Sequence, residues 1–262
     1  MTSSPVQTNA ATPPPKPPST ARYRVAIAGL LLVIAALLIA LVLSGAVAPA
    51  LSGPVGTSAS AEPQPTPSAD PERDAFMLSL PRRIEGDPLA QGAVDAPVVM
   101  TEWSDYRCPF CAAFAQETAP ELQRFVDDGT LRIEFRDLVA FGDDSLLAAA
   151  GARAASRQGM FWEYHTALFA TLDYTVEDGH PPVDDALVMQ IAREVGVPDL
   201  DAFEEDYQSE EVRNEVIRDT QEAQSYGLNS TPTFLIGTEV IPGAQAAEVF
   251  EQVITQQAAQ HG

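Results

Sequence analysis

The sequence predicts an α/β domain, built from a parallel βαβ unit, a long helical stretch and a late β-hairpin, carried behind one N-terminal transmembrane helix. Three observations predict it. Val25 to Leu43 is an unbroken apolar run. Two strand-like segments, 98–103 and 131–136, flank a segment with helical periodicity. Four further helix-period segments then precede strand-like residues 233–236 and 239–241. The hydrophobic fraction of 45% over 262 residues is enough for a real core.

Residues 1–24 are rich in Pro, Ser, Thr and Ala, without an acidic side chain, and read as a disordered cytoplasmic tail. The nineteen residues 25–43 carry no charge. At ~1.5 Å per residue they span roughly 28 Å, close to the ~30 Å hydrocarbon core. Arg22 and Arg24 precede the run and nothing basic follows until Arg73, so the positive-inside rule puts the N-terminus in the cytoplasm and the rest outside. A cleaved signal peptide is the competing reading, with small residues at Ala46-Val47-Ala48 and Ala48-Pro49-Ala50. The run is longer than a cleavable h-region of ~7–15 residues, which favours a retained signal anchor at the cell membrane. On either reading the domain is exported. Residues 44–75 form a Pro/Ser/Ala-rich linker, and the folded domain occupies 76–262.

Within that domain, Val98 to Trp103 reads as a buried strand. Pro109 to Asp127 reads as a helix, with Cys111, Phe114, Ala115, Leu122, Phe125 and Val126 on one stripe and Pro120 as a kink. Leu131 to Arg136 alternates with period two, a second core strand; two strands joined through a helix are normally parallel. Helical patterns follow at 145–158, 161–172, 184–195 and 209–226, an insertion of about 144–227. A hairpin, 233–236 and 239–241, and a last helix, 244–257, burying Val249, Phe250, Val253 and Ile254, complete the domain.

The net charge of −22 is uneven. Beyond the apolar run 12 basic residues face 37 acidic ones. Such a surface repels phosphate backbones and excludes nucleic acid as a partner.

The only two cysteines are Cys108 and Cys111. They close too short a loop to stabilise a fold, so they point to chemistry. The order strand, Cys108-Pro109-Phe110-Cys111, helix sets Cys108 at a helix N-terminus, where free backbone N–H groups and the macrodipole favour an anion. A thiolate there has its pKa lowered from ~8.5 into the range ~3.5–7.5, and the thiolate is the reacting species in disulfide exchange. Pro109 suits the first helical turn. Cys111, one turn on and on the buried stripe, suits a resolving thiol. A zinc site would need further ligands; His165, His180 and His261 are isolated, and no metal is expected.

Glu102-Trp103-Ser104-Asp105-Tyr106-Arg107-Cys108-Pro109-Phe110-Cys111, with Ser230-Thr231-Pro232-Thr233-Phe234 before a late strand, resembles the DsbA-like thiol–disulfide oxidoreductases of the thioredoxin superfamily. The resemblance covers roughly residues 82–257. It implies a thioredoxin fold interrupted by a helical domain, which the 120 residues between Cys111 and Pro232 accommodate. It also implies a cis Thr231–Pro232 peptide beside the disulfide, with the Thr231 backbone binding substrate, and a buried Glu102 relaying a proton to or from Cys111. Phe110 departs from the strongly oxidising members, which have His there; Arg107 is a candidate compensating charge, or else a solvated one. Trp103, Phe161, Trp162 and Tyr164 read as core packing more readily than as a peptide groove, and His165 with them.

The resemblance further implies a dithiol oxidase that acts on reduced or unfolded exported proteins, uses no cofactor beyond its cysteine pair, and is reoxidised by a quinone-linked membrane partner, DsbB-like or of the vitamin-K-epoxide-reductase type. A reductase or isomerase using the same site, and a chaperone-like binding module, are the alternatives.

Overall fold

The computed structural model describes residues 70–261. The tail, the apolar run Val25 to Leu43 and all but the end of the linker therefore lie outside the described residues. Among the described residues no helix is long and apolar enough to cross a membrane. Helix α1 (Pro71–Leu78) starts within the segment read as linker. Its Asp70 cap accepts from Arg73 N at 3.0 Å and Pro71 stands in its first turn, local start signals that the Pro-rich context masks.

The sheet has the order β1-β3-β2-β4-β5, with β1 (Ala90–Gln91), β2 (Val98–Ser104), β3 (Leu131–Asp137), β4 (Thr233–Ile236) and β5 (Glu239–Pro242). Strands β2 and β3 are parallel, as the βαβ reading expects, with Val98 opposite Leu131. Strand β4 runs antiparallel to β2 with Glu102 opposite Phe234, and β5 closes the hairpin. The two-residue β1 has too few side chains to show a pattern.

One face of the sheet carries Val98, Met100, Leu131, Ile133, Phe234 and Ile236 against Phe114, Leu122, Phe250 and Ile254. The rings of Phe114, Phe234 and Phe250 centre it, 4.3 to 5.2 Å apart. Helix α9 (Ala247–His261) contributes Phe250 and Ile254, but Val249, expected inside, is 41% exposed. The other face packs Trp103 and Leu235 against Leu138 and Ala223, with Met77 and Leu80 alongside.

Strand β3 departs from the half-solvated strand that period-two alternation implies. All of it is buried, its polar row included. Glu134 accepts from Arg132 Nε at 3.1 Å and Arg136 Nη2 at 3.0 Å, and from the Arg82 and Arg83 backbone N–H groups at 2.8 and 2.7 Å. Every lone pair of a buried carboxylate is thus occupied, as burial of charge demands.

The helix after the cysteines is not one kinked rod. It is α2 (Pro109–Ala113), a π-helical turn (Phe114–Thr118) and α3 (Ala119–Asp127). The wide turn accommodates Pro120, which lacks an N–H and would clash with the preceding turn. The insertion comprises α4 (Asp143–Ser156), α5 (Phe161–Thr171), α6 (Asp185–Val195), α7 (Leu200–Gln208) and α8 (Glu210–Ser225). Helix α7 is additional to the sequence reading; it is short, strongly acidic, and buries only Phe203 and Tyr207, a single i, i+4 pair. Helix α4 is alanine-rich where neighbours approach closely. A Cβ at Gly151 would sit 2.5 Å from the Tyr164 hydroxyl.

Because Glu134 neutralises a row of buried guanidinium groups, Glu134→Ala is expected to cost ~3–5 kcal/mol in urea unfolding. Arg124→Ala, which breaks the exposed pair with Glu251, should cost less than ~1 kcal/mol.

Candidate active site

The β2–α2 junction builds the site. Asp105 forms a turn whose carbonyl accepts from Cys108 N at 3.1 Å, and its carboxylate accepts from Arg107 N at 2.8 Å and Ala140 N at 2.7 Å. The chain therefore enters α2 with Cys108 extended as the N-cap (φ −80°, ψ 121°) and Pro109 next. Both thiols are free and buried, Cys111 completely. The Thr231–Pro232 peptide is cis. The Cys108 thiol donates to Thr231 O at 3.3 Å, and Cys111 Sγ accepts from Asp105 N at 3.5 Å. The structure thus gathers Cys108, Pro109, Cys111 and the Thr231–Pro232 loop at one place. Phe110 points away and is 63% exposed, the most exposed of the large apolar side chains among the described residues.

The two sulfurs are electrostatically unequal. Cys108 is lowered to about 6, chiefly by the hydrogen bond from Cys111; burial opposes this, and Thr231 and the backbone N–H groups of Cys111 and Phe110 add to it. The Thr231 hydroxyl is buried and without a hydrogen-bond partner, so it is available for this role. Cys111 is pushed well up by burial and by the adjacent Cys108. One sulfur is poised to attack and the other to stay protonated.

Glu102 lies on the sheet face covered by the cysteine-bearing helix, opposite Phe135 and Phe234. Burial raises its carboxyl to about 8. Its Oε1 has no partner, and the residue lines a cavity of about 160 Å³ with Phe114, Ile133, Trp162 and His165. His165 is a core residue as expected. Burial pushes it down to about 3, and its Nδ1 meets the Tyr106 hydroxyl at 3.0 Å. Trp103, Phe161 and Tyr164 are likewise core.

Arg107 is not a solvated charge: its guanidinium is turned to backbone carbonyls. Its guanidinium donates to Pro181 O at 2.7 Å, Phe141 O at 2.5 Å and His180 O at 2.9 Å. Tyr174 and His180 are site-framing residues that sequence reasoning missed: Tyr174 Oη donates to Tyr106 O at 2.6 Å, and His180 Nδ1 meets Arg107 O at 3.1 Å. These contacts span 68 and 73 residues and leave no local signal in the sequence.

A dithiol of unequal acidities at a helix N-terminus, facing a cis-proline loop on a mixed sheet, defines a thiol–disulfide oxidoreductase. The chain belongs to the thioredoxin family, whose match, described as Thioredoxin, covers residues 85–256. It is 28% identical over 161 residues to disulfide bond formation protein D of Bacillus subtilis (strain 168), covering 60% of this chain and 71% of that protein. The oxidised crystal structure of BdbD from Bacillus subtilis aligns with a TM-score of 0.60 at 24% identity, over 65% of this chain and 92% of that one. The crystal structure of Wolbachia pipientis α-DsbA1 aligns with a TM-score of 0.57 at 19% identity, over 72% of this chain and 97% of that one. The two structural likenesses speak to the fold, a thioredoxin fold with a helical insertion.

Thiolate absorbance of the reduced protein is expected to titrate with a midpoint near pH 6. Thr231→Val removes a donor to the thiolate and should raise that midpoint. Glu102 has its folded value raised, so the stability it provides is present below the ordinary carboxylate range and is lost as pH rises through about 8. Glu102→Gln should therefore gain on the wild type in unfolding experiments as pH increases, by on the order of 1 kcal/mol per pH unit.

Proposed function

We propose that this protein is a dithiol oxidase that introduces disulfides into exported proteins through its Cys108-Pro109-Phe110-Cys111 site. The observation that carries the reading is the stabilised Cys108 thiolate. A depressed thiol value favours the reduced form of the enzyme wherever pH exceeds that value, and so makes the disulfide form the better oxidant. A midpoint near 6 against ~8.5 for a free cysteine favours the thiolate about tenfold at pH 7, worth ~30 mV of potential. The name of the Bacillus relative, disulfide bond formation protein D, supports the same direction.

In the reaction a client thiolate attacks Cys108 Sγ of the disulfide, and Cys111 leaves as the thiolate. Cys111 takes a proton from Glu102, whose value near 8 lets it hold and release one around neutral pH. A second client thiolate then attacks the client sulfur of the mixed disulfide and releases Cys108. Two electrons pass from client to enzyme, and a quinone-linked membrane partner, DsbB-like or of the vitamin-K-epoxide-reductase type, removes them. The cysteine pair is the only electron carrier needed. Thr231, beside Cys108, binds the client backbone. The charge asymmetry around residues 25–43 supports a single-pass anchor with the catalytic domain outside.

One observation favours a second reading, a reductase or isomerase. Exposed Phe110 supplies no donor to the thiolate, which leaves the pair less oxidising than a His-bearing motif. The reduction potential against glutathione separates the two. A value well above the ~−270 mV of thioredoxin supports the oxidase, and one at or below it rejects the oxidase. In the same preparation Cys108→Ser should abolish client oxidation, and so should Cys111→Ser, which cannot form the disulfide that the client attacks. Intact function in Cys108→Ser would instead indicate a non-catalytic binding module.

A further inference from the structure

The insertion does more than cover the sheet: its loop 173–183, between α5 and α6, is tied to the two residues that lead into the reactive cysteine. The ties are reciprocal. Arg107 donates to two consecutive loop carbonyls, Pro181 O at 2.7 Å and His180 O at 2.9 Å, while His180 Nδ1 returns a contact to Arg107 O at 3.1 Å. The His180 ring is held for this by stacking on Phe141, centroids 3.7 Å apart, and Arg107 also holds Phe141 through its carbonyl at 2.5 Å. One residue earlier, Tyr174 Oη donates to Tyr106 O at 2.6 Å. Across the motif, Gly179 stands against Pro109, where a Cβ would lie 3.7 Å from Pro109 Cγ, and its φ of +72° suits glycine.

The chain before a helix N-terminus has no helical hydrogen bonds of its own to fix its direction. Here the carbonyls of Tyr106 and Arg107 are each taken by an insertion side chain. We propose that Arg107 and His180 are positioning residues, a clamp by which the helical insertion fixes the turn carrying Cys108 and keeps its sulfur over the α2 N–H groups. The guanidinium acts through its fork of donors and not through its charge, which is spent on carbonyls and on Asp144, 3.9 Å away. A planar fork reaching several carbonyls is geometry that an ammonium group does not reproduce.

The inference rests on Cys108 being the reacting thiol, and the test keeps the two apart. Thiolate absorbance and the glutathione equilibrium are measured on the full chain for wild type, Arg107→Met, Arg107→Lys, His180→Leu and His180→Asn, with thermal melting in parallel. A wild-type midpoint near pH 6 is the check on the site itself. Given that, Arg107→Met and His180→Leu are expected to raise the midpoint by roughly one pH unit, a tenfold loss of thiolate at low pH, and to make the enzyme correspondingly less oxidising. His180→Asn, whose amide can still donate to Arg107 O, should stay near the wild type. Two results would overturn the proposal. One is a lower melting temperature with an unmoved midpoint and equilibrium, the signature of a merely structural contact. The other is full restoration by Arg107→Lys of what Arg107→Met loses, the signature of charge.

Discussion

A thiolate buried beneath a protein surface is stable only where fixed donors replace the water it has lost, and the β2–α2 junction exists to supply them. The N–H groups of Phe110 and Cys111 come from the helix start, a thiol comes from Cys111, and the Thr231 hydroxyl arrives from a loop more than a hundred residues on. None of these donors can be displaced far without the sulfur reverting to an ordinary thiol. The order of strands follows from this requirement, because β4 must lie beside β2 to bring the Thr231–Pro232 peptide over the motif. The apolar cluster of Phe114, Phe234 and Phe250 then locks helix, strand and C-terminal helix in that relation.

Around this centre the protein tolerates an unusual amount of buried polarity, and it does so in two different ways. The β3 row is saturated: Glu134 is paired on all sides, and its neighbours Arg132 and Arg136 also reach backbone carbonyls. Asp137 is held by Arg153, though burial still raises it to about 6. Such a row gives a rigid back wall to the sheet. Glu102 is the opposite case. It is buried, lacks a cationic partner and has one oxygen without any partner, so the neutral form prevails to about pH 8. Such a group is left unsatisfied at a cost in stability.

The helical insertion packs on the sheet beneath the motif. Its alanine-rich α4 and aromatic α5 pack on Phe135 and Tyr106, the rings beneath the motif. Its loop reaches back to the residues just before Cys108. The dithiol therefore sits between two frames, the proline loop on one side and the insertion on the other, with Phe110 projecting outward.

The motif and its flanks were legible in the sequence because their chemistry is local. Strand, Cys108-Pro109-Phe110-Cys111 and helix follow in order, so a few residues specify an anion-favouring helix end, while the buried-strand run 98–103 and the alternation in 131–136 specify two core strands. The long helical stretch was legible through its periodicity, except α7, whose two buried rings make too faint a stripe. What tertiary structure alone decided is where polar groups go once buried. Arg107 reads as a surface charge until the carbonyls of residues 141, 180 and 181 surround it, and Arg132, Glu134 and Arg136 read as a solvated strand face until the Arg82 and Arg83 backbone and α8 close over them. Sequence patterns record side-chain polarity at a spacing of two or 3.6 residues. They carry no record of a partner seventy residues away, and for a charged group that partner determines whether it is buried or exposed.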